Sequence, residues 1–228
     1  MTRLVAALFL LAGMIGAARA ESVPVGTALV LLIDVSGSVD NEEYELQRHG
    51  VSSAFRDPAV IKALWNQPYG RMAVTVVEWS DNATVVIPWT VLEDESTAQR
   101  FSALLDAGVR ASRGSTALGT ALAFATELFD SCGCEPMRRV IDVSGDGVNN
   151  SGAITSGQAR DLAVARGIIV NGLPITGDGS DVGLYEHYDS KVKGGEGAFI
   201  LEATGFEDFA RAIRQKLVLE IAMAVPPP

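Results

Sequence analysis

One apolar run constrains the fold of this chain more than any other feature. Residues 27–35 read TALVLLIDV and contain almost no polar position before Asp34. A strand with one solvated face alternates polar and apolar side chains, whereas a strand covered on both faces does not. The run therefore predicts a central strand of a parallel sheet that is buried on both sides.

The rest of the chain alternates between strand-like and helix-like hydrophobic periods. This alternation predicts a doubly wound (Rossmann-like) α/β fold, with a mostly parallel six-stranded sheet and helices on both faces. Residues 71–79 and 83–89 read as a hairpin, and Pro88 makes the second of them an antiparallel edge strand. The remaining expected strands are 138–144, 167–175 and 198–202, and the expected helices are 41–64 (with Asp40 as its N-cap), 96–108, 117–129, 155–166 and 206–222.

Residues 1–20 have the features of a cleavable export signal. A positively charged start is followed by an apolar stretch at 4–15 and by the cleavage-like sequence Ala18-Arg19-Ala20. The apolar stretch is shorter than the roughly 20 residues that a membrane span needs. We expect secretion or export to the periplasm, one large domain at 21–225 and a short proline tail at 226–228.

The charge of the chain excludes one class of partner. Removal of Arg3 and Arg19 with the signal leaves 16 of the 18 basic residues against 28 acidic ones, a formal charge of −12. Faces that bind nucleic acid need clustered Lys and Arg, and the sequence has no basic run. We therefore expect no nucleic-acid partner.

Two cysteines, Cys132 and Cys134, are separated by a single glycine. In an exported protein they can form a tight disulfide bridge, or they can remain as two thiols at the end of a helix. Zinc is not expected at this pair, because a structural site needs about four ligands. The only histidines are His49 and His187.

Oxygen ligands are concentrated where the first strand ends. Asp34, Ser36 and Ser38 alternate along a loop that Gly37 allows to bend tightly. One carboxylate and two hydroxyls that converge on a point are hard donors, which suit Mg²⁺, Mn²⁺ or Ca²⁺. Taken alone, the same residue types are also ordinary helix caps.

Two later segments carry further oxygen atoms at equivalent positions. Thr116 precedes the helix 117–129, and Asp146 follows the strand 138–144. Because the carboxyl ends of parallel strands share one edge of a sheet, we expect both side chains to lie beside the first loop. The sequence thereby predicts a metal site made of Asp34, Ser36, Ser38, Thr116 and Asp146.

This three-part pattern resembles the metal-ion-dependent adhesion site (MIDAS) of von Willebrand factor A (vWA) domains. The matching parts are Asp-x-Ser-x-Ser, a threonine with Ala-Leu five residues later, and an apolar strand that ends in Asp-Gly. The resemblance spans residues 27–222. The stretches 139–150 and 205–222 further resemble an exported bacterial branch of the family that is catalogued as a domain of unknown function.

The resemblance implies a role for each residue. In such domains the two serines coordinate the ion directly, the threonine joins them in the ligand-bound form, and the two aspartates act directly or through water. One coordination position stays open for a Glu or Asp of a partner protein. We therefore expect a metal-dependent protein-binding module and no enzymatic activity, with Mg²⁺ as the expected ion and Mn²⁺ or Ca²⁺ as alternatives.

Other interpretations remain open. The same ion can activate water in a hydrolase of the cell envelope, or it can only stabilise an assembly component. The loop 176–181 (TGDGSD) can bind Ca²⁺, although a single copy is more typical of a polar turn. Ser144 is not predicted to be a nucleophile, because it lacks the Gly-x-Ser-x-Gly context and an evident base.

Overall fold

The computed structural model describes residues 22–177 and 182–222, and a mixed sheet lies at its centre. Its strands are β1 (Val23–Asp34), β2 (Met72–Trp79), β3 (Ala83–Leu92), β4 (Cys134–Gly145), β5 (Ile168–Thr176) and β6 (Ala203–Thr204). Their order across the sheet is β3-β2-β1-β4-β5-β6, and only the β2–β3 pair is antiparallel among these neighbours. The apolar run predicted to be a central strand lies in β1, which has parallel neighbours on both sides.

Helices cover both faces of this sheet. One face is packed by α1 (Asn41–Ala54), α2 (Pro58–Asn66), α3 (Glu95–Asp106) and α7 (Phe206–Ala222), and the other by α4 (Leu118–Leu128), α5 (Ser156–Ala165) and α6 (Leu184–His187). Successive residues of β1 contribute to the two cores in turn: Leu29 and Leu31 belong to the first, and Val30 and Leu32 to the second. The predicted doubly wound α/β architecture is confirmed.

The predicted helix 41–64 is wrong in one respect, because the chain forms two helices there. The first ends at Ala54, and the second begins at Pro58 with Asp57 as its N-cap. The Asp57 carboxylate accepts a hydrogen bond of 2.8 Å from the backbone N–H of Ala59. Proline has no N–H and its ring clashes with the preceding turn, so it starts a helix more readily than it continues one.

The short strand predicted at 198–202 is displaced. The edge strand is Ala203–Thr204, and the predicted residues contribute an isolated bridge to β5 at Ile200. The backbone N–H of Phe199 donates to the side chain of Asn171 over 3.0 Å. This N–H is therefore bonded to a side chain and not to the backbone carbonyl that a regular strand ladder would supply.

Two local predictions are confirmed. Asp40 caps α1 through a capping box with Glu43. The strand that contains Pro88 lies at the edge of the sheet and pairs with β2 in antiparallel register.

The two cysteines form a disulfide bridge. The Cα atoms of Cys132 and Cys134 are 5.1 Å apart, and the bridge joins the turn after α4 to the start of β4. Of the two interpretations that the sequence allowed, the structure has the bonded one.

Some expectations concern positions outside the described residues. The export signal at 1–20, the tail at 226–228 and positions 178–181 of the polar loop 176–181 belong to this group. In the described part of the chain, none of the helices combines the length and the hydropathy that a bilayer span requires.

Candidate functional site

The loops that carry the predicted ligands meet at one edge of the sheet. β1 and β4 are parallel neighbours, and Ile33 pairs with Ser144. Asp34 at the end of β1 therefore lies beside Gly145 at the end of β4. Parallel pairing is what brings Asp146 close to the residues that follow β1.

Hydrogen bonds connect four of the five predicted ligands. The backbone N–H of Ser36 donates to Asp34 Oδ1 over 2.7 Å, and the hydroxyls of Ser36 and Ser38 are 3.2 Å apart. The Ser38 hydroxyl in turn donates to Asp146 Oδ1 over 2.8 Å. Asp34 and Ser36 are fully buried, whereas Ser38 is exposed. The group therefore extends from the interior of the protein to its surface.

Thr116 lies at the same edge and contacts the loop after β4. Its backbone N–H donates to Asn150 Oδ1 over 3.0 Å, and Asn150 Nδ2 donates to its hydroxyl over 3.3 Å. A methyl group on Gly147 would lie 3.5 Å from that hydroxyl, so the threonine faces the residue that follows Asp146. The predicted side chains are thus brought together, with Thr116 joined through its neighbours.

Two asparagines that sequence analysis did not assign to the site hold the Thr116 segment. α4 is preceded by Ala117, whose side chain cannot cap a helix. Asn149 supplies the cap from the loop after β4, because its Oδ1 accepts a bond of 2.8 Å from Gly119 N. The backbone N–H of Asn150 adds a bond of 3.0 Å to the Thr116 carbonyl. The first N–H groups of a helix need acceptors. The lack of a capping residue before α4 is therefore the feature of the sequence that could have indicated an acceptor from another segment.

Asp34 is a buried carboxylate with one unpaired oxygen. Burial, and after it the negative charge of Asp146, raises the pKa of Asp34 to about 7, although hydrogen bonds from Ser36 oppose the shift. Its Oδ1 accepts the Ser36 N–H, whereas its Oδ2 is buried and has no hydrogen-bond partner among the described residues. Because an unpaired buried carboxylate oxygen is costly, this atom marks where a positive ligand would be stabilising.

Gly145 keeps the space beside Asp34 open. A methyl group on this glycine would lie 2.6 Å from Asp34 Oδ2 and 2.9 Å from the Tyr188 hydroxyl. Tyr188 is fully buried, and burial, with the nearby charge of Asp34, raises the pKa of its phenol. The carboxylate is therefore bordered by bare backbone and by a neutral phenol.

A cleft opens on the surface next to Ser38. It has a volume of about 470 Å³ and lies between the start of α1, the end of β5 and the start of α7. The cleft is lined by Ser38 and Asp146, two of the predicted ligands. Its described lining contains no Lys or Arg, and its acidic residues are Asp40, Glu42, Glu43, Asp146 and Glu207.

The histidines do not supply a base for Ser144. Ser144 is buried, His187 Nε2 lies 3.5 Å from the hydroxyl of Ser156, and the exposed His49 lies 4.0 Å from Asp106. Within the described ranges, no cluster of three or more His, Cys, Asp or Glu could hold a metal. The predicted site differs from such clusters because three of its five ligands are hydroxyls, a donor set suited to hard cations.

Sequence comparison identifies a family. The family described as "Protein of unknown function (DUF1194)" matches residues 24–225. Among curated proteins, no sequence matches the chain.

Solved structures show the fold. Proximal thread matrix protein 1 from the mussel byssus, with a zinc-occupied MIDAS motif, is 16% identical at a TM-score of 0.60; the match covers 89% of this chain and 46% of that protein. The vWF domain of the type V pili tip protein Mfa5 from Porphyromonas gingivalis is 11% identical at a TM-score of 0.62, and the match covers 91% of this chain and 98% of that one. BatB from Bacteroides thetaiotaomicron is 18% identical at a TM-score of 0.59, and the match covers 86% of this chain and 99% of that one.

The chain therefore spans less than half of the mussel protein and nearly all of the two bacterial chains. Identities this low establish the fold and nothing finer. From these comparisons and from the strand order above, the chain belongs to the family described as "Protein of unknown function (DUF1194)" and has the fold of vWA domains.

Proposed function

We propose that this protein is an exported binding module that captures a carboxylate of a partner protein through a divalent cation. The observation that carries the proposal is the buried, unpaired Oδ2 of Asp34 beside two serine hydroxyls 3.2 Å apart. A hard divalent cation would compensate the buried negative charge, and the hydroxyl oxygens could coordinate it. We expect Mg²⁺, with Mn²⁺ or Ca²⁺ as alternatives, and the residues that would hold it as a MIDAS are Asp34, Ser36, Ser38, Thr116 and Asp146.

The donor set favours capture of an anion over storage of the ion. The protein contributes two carboxylates and three neutral hydroxyls, so a bound divalent cation retains attraction for an incoming carboxylate. Ser38 is exposed, and the cleft beside it leads to the surface. The partner's Glu or Asp would therefore approach along this cleft, while Asp34 and Ser36 hold the ion from the buried side.

Two of the similar structures support a binding role. The mussel protein is a thread matrix protein with a zinc-occupied MIDAS motif, and the Porphyromonas domain belongs to a pilus tip protein. We extend to this chain the role of an attachment or scaffold module and no catalytic role.

Export is part of the proposal. Residues 1–20 have the pattern of a cleavable signal, which would leave one domain at 21–225. The Cys132–Cys134 disulfide supports this location, because disulfides persist in oxidising compartments and are rare in the cytosol. Cell fractionation tests export: the chain expressed with residues 1–20 should be found in the periplasm or the medium.

Calorimetric titration with Mg²⁺ tests the site itself. We expect the wild-type protein to bind one ion and Asp34→Ala to bind it about 100-fold more weakly or not at all, because removal of groups around a metal costs up to that factor even outside the ligand set. Asp161→Ala, on the exposed side of α5, is the matched control and should bind as wild type does. Equal affinity of the wild type and Asp34→Ala would refute the site.

Capture of the partner is measured separately. Envelope extract is passed over immobilised wild-type protein and over Asp34→Ala, in Mg²⁺ and in EDTA. We expect specific retention by the wild type in Mg²⁺ alone. Retention that persists in EDTA would contradict a metal-dependent mode of binding.

A further inference from the structure

One arginine holds the loop that carries the two serines. Arg110 lies in the connection between α3 and α4, and its Nη2 atom donates to three backbone carbonyl oxygens of the loop after β1. The acceptors are Val35 at 2.7 Å, Ser36 at 2.8 Å and Val39 at 2.9 Å. Sequence analysis did not single out this arginine, because its partners lie 71 to 75 residues away.

The guanidinium is also fixed from outside that loop. Its other nitrogens donate to the carbonyl oxygens of Asp40 over 3.3 Å and Ser112 over 3.1 Å, and its Cζ lies 5.5 Å from the centre of the Tyr44 ring. The Tyr44 hydroxyl donates to Glu78 over 2.8 Å, and the second oxygen of Glu78 accepts the N–H of Ala111 over 2.6 Å. Both the cation and the ring beneath it are therefore held in place by the surrounding structure.

The geometry has a consequence for ligand binding. The bonds from Arg110 to the Val35 and Val39 carbonyls fix both ends of the segment that carries the two serines. Within this segment the hydroxyls of Ser36 and Ser38 lie 3.2 Å apart. A loop without these bonds would have to be ordered when the ion binds, and this ordering would cost part of the binding free energy.

We propose, on the basis of the function proposed above, that Arg110 is a positioning residue that preorganises this loop for the divalent cation. It acts through the backbone and does not touch the ion. Its Nη2 contacts the three loop carbonyls while Nη1 and Nε bond to Asp40 and Ser112, so the planar guanidinium is held in one orientation, which the single ammonium of a lysine cannot reproduce.

The chain offers a matched control in Arg113. This residue has the same charge and lies in the same connection, but it is exposed and donates to Val39 over 3.2 Å without the other two carbonyls. If charge near the loop were sufficient, the two arginines would be equivalent. If the fork of hydrogen bonds matters, Arg110 alone is critical.

The test is calorimetric titration of the full chain with Mg²⁺, with thermal unfolding in EDTA as the measure of folding. We expect Arg110→Ala to weaken Mg²⁺ binding about 10- to 100-fold, the range seen for residues that orient metal ligands. Arg110→Lys should fall in between, and Arg113→Ala should stay within about twofold of wild type. Millimolar methylguanidinium should restore affinity to Arg110→Ala and leave wild type unchanged.

The outcomes separate this inference from the proposed function. Loss of thermal stability in both Arg110 variants with unchanged Mg²⁺ affinity would show a purely structural role and overturn the inference, while the function stands. No Mg²⁺ binding by wild type would refute the function itself. If Arg110→Ala does not fold, Arg110→Lys decides, because wild-type affinity in that variant overturns the inference.

Discussion

Gly145 determines how near β4 approaches the Asp34 carboxylate. A β-carbon at this position would lie 2.6 Å from Asp34 Oδ2, closer than non-bonded atoms normally come. The neighbouring Tyr188 is fully buried and has little room to move. The glycine is therefore part of the candidate site although it contributes no ligand.

We expect Gly145→Ala to destabilise the protein by about 1–3 kcal/mol, because overpacking of a filled interior forces neighbours apart. The same displacement of Asp34 should weaken Mg²⁺ binding. Urea unfolding in EDTA and calorimetric titration measure the two effects. Gly157→Ala in α5 is the control: its new methyl would lie 3.8 Å from the flexible side chain of Lys191, which is an ordinary contact distance, and the variant should be neutral or slightly stabilising. Similar behaviour of both variants would contradict the steric argument.

α7 is held against the sheet by fully buried charges. Lys216 Nζ lies 2.5 Å from Asp142 on β4 and 2.7 Å from Glu220, one turn further along the helix. Asn171 on β5 donates to Glu220 over 2.8 Å. Sliding the helix by one turn would leave buried charges unpaired, which is strongly destabilising. The cluster therefore selects one register of the helix on the sheet.

This cluster predicts a pH dependence of stability. Burial, and after it the charge of Glu220, raises the pKa of Asp142 from 3.8 to about 7, although Lys216 opposes the shift. Between about pH 4 and pH 7 the folded state then holds a proton that the unfolded state lacks, so stability falls as pH rises through this window. The neutral Asp142→Asn should accordingly be more stable relative to wild type at pH 8 than at pH 5.

Urea unfolding at the two pH values, in EDTA, measures this difference. Part of the slope should remain in Asp142→Asn, because the raised pKa of Asp34 acts in the same direction. Asp208→Asn is the control: hydrogen bonds from Arg211 lower the pKa of Asp208 to about 2, so its effect should be the same at both pH values. A pH-independent effect of Asp142→Asn would show that the cluster holds no proton at neutral pH.

The electrostatic character of the protein bears on the partner it would accept. The full sequence has a formal charge of −10, and several carboxylates line the cleft beside the candidate ion site. A bound cation would attract one carboxylate, but a second acidic group on the partner would face Glu42 or Glu207. A carboxylate flanked by Lys or Arg would be attracted by both the ion and the cleft.

Synthetic peptides test this preference. In Mg²⁺ and low salt, we expect a peptide with one Glu between lysines to bind roughly tenfold more tightly than the same peptide with alanines, through electrostatic complementarity. The difference should largely vanish at 1 M salt, where the Debye length is about 3 Å. The double substitution Glu42→Gln with Glu207→Gln should reduce the difference, because two of the five acidic residues of the cleft lose their charge. Equal affinity of the two peptides for wild type at low salt would refute the role of the cleft.

Local patterns in the sequence were sufficient for the architecture and for the position of the candidate ligands. The change of period along the chain distinguishes strands from helices, and the ends of parallel strands share an edge, so Asp34 and Asp146 could be placed together without knowledge of contacts. The sequence does not predict the break before Pro58, because the apolar spacing runs on across it. It places the last strand a few residues too early, because a two-residue edge strand has almost no period.

The contacts that shape the site were decided by tertiary structure. Asn150 reaches Thr116 across 34 residues, and Arg110 reaches Val35 across 75. Lys216 meets Asp142 only because α7 packs on β4. A hydrogen bond between distant residues depends on the path of loops that have no hydrophobic period, so the sequence by itself determined which side chains share the edge of the sheet, and the folded chain alone determined what holds them there.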